Sequence, residues 1–362
     1  MKKNVLFIII LLFLDSCVER IDFDSSNTTA QLVIEGQIND EPGPYTIRVN
    51  RTRKVLDFGE VKPVSASKVI IFDNLGNSET LTESSPGVYK TKTNGIRGIV
   101  GREYVLRVET RDGKVFESSP EKINPAGEVE SIYYRFEKFE PQTGPTQYQF
   151  RFYINSRGED QGENLFRWKF TATYKVQTNP ELHTRSAGET RVPDPLPCSG
   201  FNISLEQIGP CECCTCWVSR LESRPKVNDN TIISDGSYKD VEVGIIPVEY
   251  WIFFDKVQVE VKQMSLSRAA FDYWKIVQDQ KEGSTSLFQP AIGKAVSNMF
   301  LKKGTEEVQG LFYASSIAKK TIFINASNIP LGPSVIPSAP PPIPESCLVA
   351  FPFSTLQKPI NW

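Results

Sequence analysis

Hydrophobic and polar residues alternate along much of the chain beyond residue 30. Residues 45–50 alternate with a period of two, and residues 69–72 form a short apolar run that ends in the turn-forming residues 73–77. Successive side chains of a β-strand point to opposite faces of a sheet, so these patterns predict strands. Asp112 and Gly113 lie between two further strand patterns and predict a hairpin. Residues 31–122 therefore favour an N-terminal β-sandwich without a helix.

Aromatic residues dominate the strand patterns of the second half, beyond a joint predicted at residues 120–127. Tyr148, Phe150 and Phe152 alternate with polar residues, and residues 165–174 continue this pattern over a longer span. Exposed aromatic rings can stack on sugars, but we expect each of these strands to bury its aromatic face in a core. Further strands are predicted at residues 241–261, 310–314 and 320–324.

A helix is predicted at residues 268–280, with Ser267 placed to cap its start and Gly283 as a natural stop. Apolar residues at helical spacing form a stripe that we expect to face a core. The members of this stripe are Ala270, Phe271, Trp274 and Val277. Residues 330–362 are rich in proline, which favours an extended strap over the surface and excludes a central strand.

Together the patterns predict an all-β fold of two β-sandwich domains, residues 31–122 and 128–329, with one short helix in the second. The length of 362 residues agrees with two domains, because a single domain usually holds about 100–200 residues. A polar excursion at residues 179–217 interrupts the second domain and carries five of the seven cysteines. Irregular stretches of this length tend to be functional or cross-linked.

The N-terminus has the parts of an export signal. Lys2 and Lys3 supply positive charge, and ten uncharged apolar residues follow at positions 5–14. This run is too short to span a bilayer as a helix, which needs about 20 residues. We therefore expect residues 1–16 to be a signal peptide.

Residues 14–17, Leu-Asp-Ser-Cys, resemble a lipobox, the short motif that directs lipidation of its cysteine. We predict that Cys17 carries the lipid, such as palmitate, and that residues 17–30 form a tether. More than one acyl chain on this residue would be enough for stable anchoring. The alternative is ordinary signal cleavage beside an incidental cysteine.

The charge of the chain limits the classes of partner that we expect it to bind. The chain has 41 basic and 43 acidic residues, a formal net charge of −2, and no basic stripe. Nucleic acid is therefore not expected as a partner, because binding depends on cations that release phosphate counterions. No apolar stretch after Cys17 approaches 18 residues, so the lipid would be the only membrane attachment.

Six cysteines follow Cys17, and four of them crowd into residues 211–216. An exported chain meets an oxidising compartment, where an even set of cysteines predicts disulfides. We expect bonds to distant partners, with Cys198 and Cys347 pairing with two of the crowded four, because bridges within so short a segment would be strained. The candidates are Cys198, Cys211, Cys213, Cys214, Cys216 and Cys347. A zinc or copper site and a redox-active pair are the alternatives, but the close spacing and the absence of a nearby histidine disfavour a metal.

No catalytic residue, metal or cofactor is predicted. The sequence lacks a Gly-x-Ser-x-Gly elbow and a Walker-type loop. Its single histidine, His183, lies in the polar excursion, where a solvated role is expected. A glycosidase needs only two carboxylates, so a surface hydrolase acting on glycans stays as the alternative to a noncatalytic role.

Short motifs in a fixed order resemble a family known chiefly from Bacteroidota lipoproteins, the domain of unknown function 4249. They are residues 33–36 (Val-Ile-Glu-Gly), 67–69 (Ser-Lys-Val), 87–89 (Gly-Val-Tyr), 101–104 (Gly-Arg-Glu-Tyr), 216–217 (Cys-Trp), 265–267 (Ser-Leu-Ser) with 273–274 (Tyr-Trp), 286–288 (Ser-Leu-Phe) and 310–312 (Gly-Leu-Phe). The resemblance covers nearly the whole mature chain.

The resemblance implies an outer-membrane lipoprotein without a known activity, often encoded near a TonB-dependent transporter. The N-terminal half also looks like the immunoglobulin-like or transthyretin-like modules of such transporters, a likeness of fold alone. We therefore expect a noncatalytic, lipid-anchored outer-membrane protein that is an accessory or ligand-binding partner of such a transporter. The membrane face that it occupies stays open.

Overall fold

The computed structural model describes residues 30–52, 61–141, 143–159, 163–221, 224–228, 236–283, 295–360 and 362. The predicted signal peptide, Cys17 and the motif at 286–288 lie outside these ranges. The strands are β1 (Leu32–Asn39), β2 (Thr46–Arg51), β3 (Lys62–Pro63), β4 (Ala66–Asp73), β5 (Ser78–Thr80), β6 (Thr82–Ser85), β7 (Val88–Lys90), β8 (Glu103–Thr110), β9 (Val115–Ser118), β10 (Glu121–Lys122), β11 (Glu128–Phe139), β12 (Gln147–Arg157), β13 (Phe166–Gln177), β14 (Thr184–Ala187), β15 (Thr190–Pro193), β16 (Thr215–Leu221), β17 (Lys226–Asn228), β18 (Ser237–Pro247), β19 (Lys256–Ser265), β20 (Met299–Lys303), β21 (Val308–Ser315), β22 (Ile317–Asn325) and β23 (Ser354–Thr355). The helices are α1 (Arg268–Gly283) and the short α2 (Cys347–Ala350).

The first sandwich packs two sheets against each other. One sheet has the order β21-β1-β2-β7-β6 with β3 beside β2, and the other has the order β20-β9-β8-β4-β5 with β10 beside β8. Alternate residues of each strand enter the core, as in β4, where Val69 and Ile71 are buried and Lys68 is exposed. The core contains residues of both sheets, including Ile34 and Leu106, so the two sheets bury one shared layer.

The second sandwich has a three-stranded sheet, β11-β12-β18, and a sheet of order β22-β19-β13-β16-β23 with β17 beside β13. Phe150 and Phe152 of β12 meet Trp168 and Phe170 of β13 in its core. Within this core the rings of Phe152 and Phe170 lie 5.3 Å apart, centroid to centroid. The all-β prediction and the predicted burial of these aromatic faces are confirmed.

Two strands from late in the chain belong to the first sandwich. β20 pairs with β9, and β21 pairs in parallel with β1 from Leu32↔Val308 to Asn39↔Ser315. The sequence prediction placed residues 310–314 in the second domain, 128–329, and the sheets do not follow that division. The reason is that a strand pattern indicates an element but not its pairing partner.

Helix α1 lies at the junction of the two sandwiches. The Ser267 hydroxyl accepts a hydrogen bond from the backbone N–H of Ala270 at 3.1 Å, which confirms the predicted cap. Ala270 and Phe271 are buried with Leu266 of the second sandwich and Leu311 of the first. The predicted stripe therefore faces a core at these two positions. No helix in the described ranges is long and apolar enough to span a membrane.

The proline-rich segment follows the surface of the second sandwich, as predicted. Residues 340–342 lie beside Tyr250, Trp251 and Phe254, and the backbone N–H of Asn179 donates to the carbonyl oxygen of Ile343 at 2.8 Å. The edge strand β23 then pairs with β16.

Candidate functional site

A cleft of about 430 Å³ lies where the two sandwiches and helix α1 meet. Its walls are β1 and the β1–β2 turn of the first sandwich, β13 of the second sandwich, and α1. Small-molecule sites typically measure about 300–1,000 Å³ and occur preferentially at such junctions. Among the concave regions of the described structure, this one has the volume and the convergent polar groups of a binding site.

Arg167 and Lys169 form one wall of the cleft. Both lie on β13, two residues apart, so their side chains leave the same face of the strand. The intervening Trp168 and its neighbour Phe170 point to the opposite face and enter the second core. The aromatic residues of β13 therefore pack in the core of the second sandwich, and Arg167 and Lys169 on the opposite face line the cleft.

The guanidinium of Arg167 is held by two aromatic side chains. Its Cζ lies 3.6 Å from the ring centroid of Trp274, and its Nη1 donates to the Tyr313 hydroxyl at 3.2 Å. Tyr313 in turn donates to Gln37 Oε1. Cation–π contact and a fixed hydrogen bond limit the freedom of the charged group. Its buried Nε and the indole nitrogen of Trp274 have no hydrogen-bond partner in the described structure.

Lys169 has no ion pair with any described carboxylate, and it is partly buried. Burial, together with the smaller effect of the positive charges of Arg167 and Lys262, lowers the pKa of Lys169 to about 8. The lowered pKa means that the charged form of Lys169 lacks a nearby negative charge that would stabilise it. An anion in the cleft would supply it.

Glu41 lies on the turn between β1 and β2 and reaches across to the second sandwich. Its carboxylate accepts hydrogen bonds from Lys262 Nζ at 2.6 Å and from Lys319 Nζ at 3.0 Å. Burial by itself would raise the pKa of Glu41, but the two lysines outweigh it and hold the pKa below its usual value. The Tyr45 hydroxyl lies 2.5 Å from the Glu41 carbonyl oxygen and 2.6 Å from that of Asn39, which braces the turn.

The remaining walls are polar and aromatic. Glu35 and Arg48 lie directly opposite each other on β1 and β2, and both line the cleft. Tyr273 of α1 faces the same space, and burial, followed by the charge of Glu35, raises its pKa. The cleft therefore offers aromatic surface and hydrogen-bonding groups beside the cations Arg48, Arg167 and Lys169.

The predicted cysteine candidates are all joined in disulfides, away from the cleft. The pairs are Cys198–Cys213, Cys211–Cys214 and Cys216–Cys347. The prediction of disulfides is confirmed, as is the pairing of Cys198 and Cys347 with members of the crowded segment. These sulfurs are consumed by the disulfides and are not free thiolate ligands.

The expectation that the crowded cysteines bond to distant partners is wrong for Cys211–Cys214, which are three residues apart. That reasoning assumed an extended segment, whereas residues 212–214 bend. The bend brings the Cα atoms of Cys211 and Cys214 to 5.7 Å, within the usual 4.4–6.8 Å for a disulfide. A bent backbone thus makes possible a local bridge that an extended one forbids.

The other residues singled out in the sequence do not form a site with the cleft. His183 lies in the polar excursion, where its Nδ1 is 2.8 Å from the Asp194 carbonyl oxygen. Cys17 lies outside the described residues. In the ranges that the structure describes, no group of three or more His, Cys, Asp or Glu side chains could hold a metal ion.

Sequence reasoning missed the cleft residues. Trp274 was expected in a core stripe, and it packs against the core at the junction while its ring also contacts Arg167 at the edge of the cleft. Arg167 and Lys169 lie on β13, and the prediction for this strand concerned only the burial of its aromatic residues. The signal that could have found them is two cations on the non-core face of one strand, because that face of a sandwich usually carries mixed polar residues.

Comparison with known proteins places the chain in a family but gives no activity. None of the curated proteins matches the sequence. The model of one family, described as "Domain of unknown function (DUF4249)", matches residues 18–321. This match runs from β1 into β22, so it covers the first sandwich, most of the second and all elements that line the cleft. The chain therefore belongs to the DUF4249 family.

Proposed function

We propose that this protein is a noncatalytic lipoprotein of the outer membrane that binds a small ligand in the cleft and serves as an accessory of a TonB-dependent transporter. The observation that carries the binding role is the pair Arg167 and Lys169, which line a concave space without a carboxylate partner among the described residues. The lipobox at residues 14–17 supports the membrane anchor.

A noncatalytic role is favoured by the state of Glu41, one of the two carboxylates that line the cleft. A glycosidase needs a general acid with a raised pKa and a second carboxylate beside it. Glu41 is bound to two lysines and has a lowered pKa, the opposite of what a general acid needs. The surface hydrolase is therefore the less supported alternative.

The binding role is tested with the intact lipidated protein in mild detergent. We expect compounds from a small-molecule library to raise its melting temperature, and Tyr273→Ala to weaken the effect because it removes one wall of the cleft. Tyr133→Ala is the matched control, since Tyr133 stacks on Tyr153 on the three-stranded sheet and does not line the cleft. Hits that are equally affected by both variants, or no hits at all, would contradict a binding role for the cleft.

The anchor and the partner need separate measurements. Metabolic labelling with palmitate should mark the protein, and Cys17→Ala should abolish the label. Purification from native membranes should recover a transporter together with the wild-type protein. An unlabelled wild-type chain would refute the lipoprotein assignment, and a solitary protein would refute the accessory role without affecting ligand binding.

A further inference from the structure

Three lysines form a row across the sheet beside the cleft. Lys169 of β13 lies directly opposite Lys262 of β19, and Lys262 lies directly opposite Lys319 of β22. Residues opposite each other on neighbouring strands have Cβ atoms about 4.5–5.5 Å apart, so like charges in these positions destabilise the sheet. Such a row needs negative charge from elsewhere.

The described residues supply that charge to only two of the three lysines. Both oxygens of the Glu41 carboxylate are engaged, one with Lys262 and one with Lys319. Lys169, at the end of the row that borders the cleft, has no carboxylate within ion-pair distance in the described structure. Arg167, two residues away, has no such partner either and bonds only to a neutral hydroxyl.

We infer that the ligand is a small organic acid whose carboxylate lies between Arg167 and Lys169 and supplies the negative charge that the lysine row lacks. This inference rests on the proposed function of the cleft and adds the chemical class of the ligand. A planar guanidinium and an ammonium side by side match the two oxygens of one carboxylate.

The walls of the cleft define the body attached to that carboxylate. Gln37 and Asn39 offer amide groups, and Tyr273 and Tyr45 offer aromatic surface. The carboxylate of Glu35 would accept hydrogen bonds from hydroxyl or amide groups and would repel a second acidic group nearby. The ligand is therefore a monoacid with hydroxyl or amide groups. An acidic monosaccharide and a short peptide with a free C-terminus share this chemistry.

The test is isothermal titration of the intact lipidated protein in detergent with matched acid and neutral probes. Glucuronate is compared with glucose, and N-acetyl-alanyl-alanine is compared with its C-terminal amide. We expect at least one acid to bind about tenfold or more tightly than its neutral match. The pair that shows the difference identifies the source as a sugar acid or a peptide. The inference would be overturned if, in both pairs, the neutral probe bound as tightly as its acid.

Four variants assign the effect to the two cations. Lys169→Gln and Arg167→Gln should each weaken binding of the acid about tenfold or more, and Lys169→Arg should restore most of the affinity because it keeps the charge. Lys175→Gln is the control, since Lys175 lies on the same strand and pairs with Asp255 at 3.8 Å. Melting temperatures of the variants show that each is folded.

The outcomes separate this inference from the proposed function. If library ligands bind in the cleft but no acid binds more tightly than its neutral match, the carboxylate inference fails and the binding role stands. Tighter binding of inorganic phosphate than of either acid also overturns it. If nothing binds to the cleft, both fail together.

Discussion

Replacing Glu121 with glutamine should stabilise the protein at alkaline pH. Glu121 lies on β10 at the junction of the two sandwiches and is buried. Its carboxylate accepts hydrogen bonds from the Ser267 hydroxyl at 2.6 Å and from Asn298 Nδ2 at 2.9 Å. Both partners are neutral, so an ionised Glu121 would be a buried charge without a counter-ion in its surroundings.

Burial raises the pKa of Glu121 to about 7, even though the two hydrogen bonds act in the opposite direction. In the unfolded chain its pKa lies near the ordinary 4.5. Below that pH both states hold the proton, and Glu121 costs nothing. As the pH rises from 4.5 to 7 the unfolded state ionises first, so stability falls, and above 7 the loss is complete. At about 1.4 kcal/mol per pKa unit, the loss is roughly 3 kcal/mol.

The assay is urea unfolding followed by tryptophan fluorescence, with wild type and Glu121→Gln compared at about pH 5 and about pH 8. Glutamine cannot ionise, so the variant should gain roughly 2–3 kcal/mol over wild type between the two pH values. The pH dependence that the two proteins share cancels in this difference. This gain is expected because, between pH 5 and pH 8, the folded wild-type protein binds more protons than the unfolded protein does.

Glu117→Gln is the matched control with the opposite sign. Burial would raise the pKa of Glu117, but Lys302 and Arg107 outweigh it and leave the pKa lowered. The interaction stabilises above the unfolded pKa and is lost as the pH falls through the folded pKa. Glu117→Gln should therefore lose about the same stability at pH 5 and at pH 8, because both lie above the ordinary pKa of 4.5, and should lose less only at lower pH. If Glu121→Gln showed no gain at pH 8 over pH 5, Glu121 would be ionised in the fold and the reasoning would be refuted.

Two further predictions follow from the disulfides and from Lys169. Removing Cys216–Cys347, with a sequence separation of 131, should lower the free energy of unfolding by about 5 kcal/mol, whereas removing Cys211–Cys214, with a separation of 3, should cost only roughly 2 kcal/mol. Urea unfolding of the two double-serine variants checks this, and equal losses would contradict the loop-length argument. Because the pKa of Lys169 is about 8, affinity for the bound acid should be constant below that pH and fall up to about tenfold per unit above it. Titrations across this range should show the fall in wild type and not in Lys169→Arg; a flat wild-type profile would contradict it.

Predictions that depend on neighbours in sequence were the successful ones. Ser267 and the spacing of Ala270 and Phe271 indicated helix α1 with its cap, and the alternation of aromatic residues in β13 indicated its buried face. These features arise from backbone geometry over a few residues, so a local pattern is enough to predict them. Cysteine content likewise predicted disulfides, because the prediction needs only the number of thiols and their compartment.

The pairing of distant segments could not be predicted in this way. β21 completes the first sandwich beside β1, although some 270 residues separate the two strands. Its motif glycine, Gly310, has a φ of 117°, and an added Cβ would come within 2.0 Å of the Ile34 carbonyl oxygen. The glycine is thus required by a contact with a strand far away in sequence.

The sequence by itself determined the main strands, helix α1, their buried faces and the presence of disulfides. Only the tertiary structure decided that Glu41, Arg167 and Trp274 meet in one cleft, and that one carboxylate forms ion pairs with two lysines of a row of three. The physical reason is that periodicity reports which face of an element is buried. Charge balance in a cleft depends on which elements pack together, and that is set by the whole core at once.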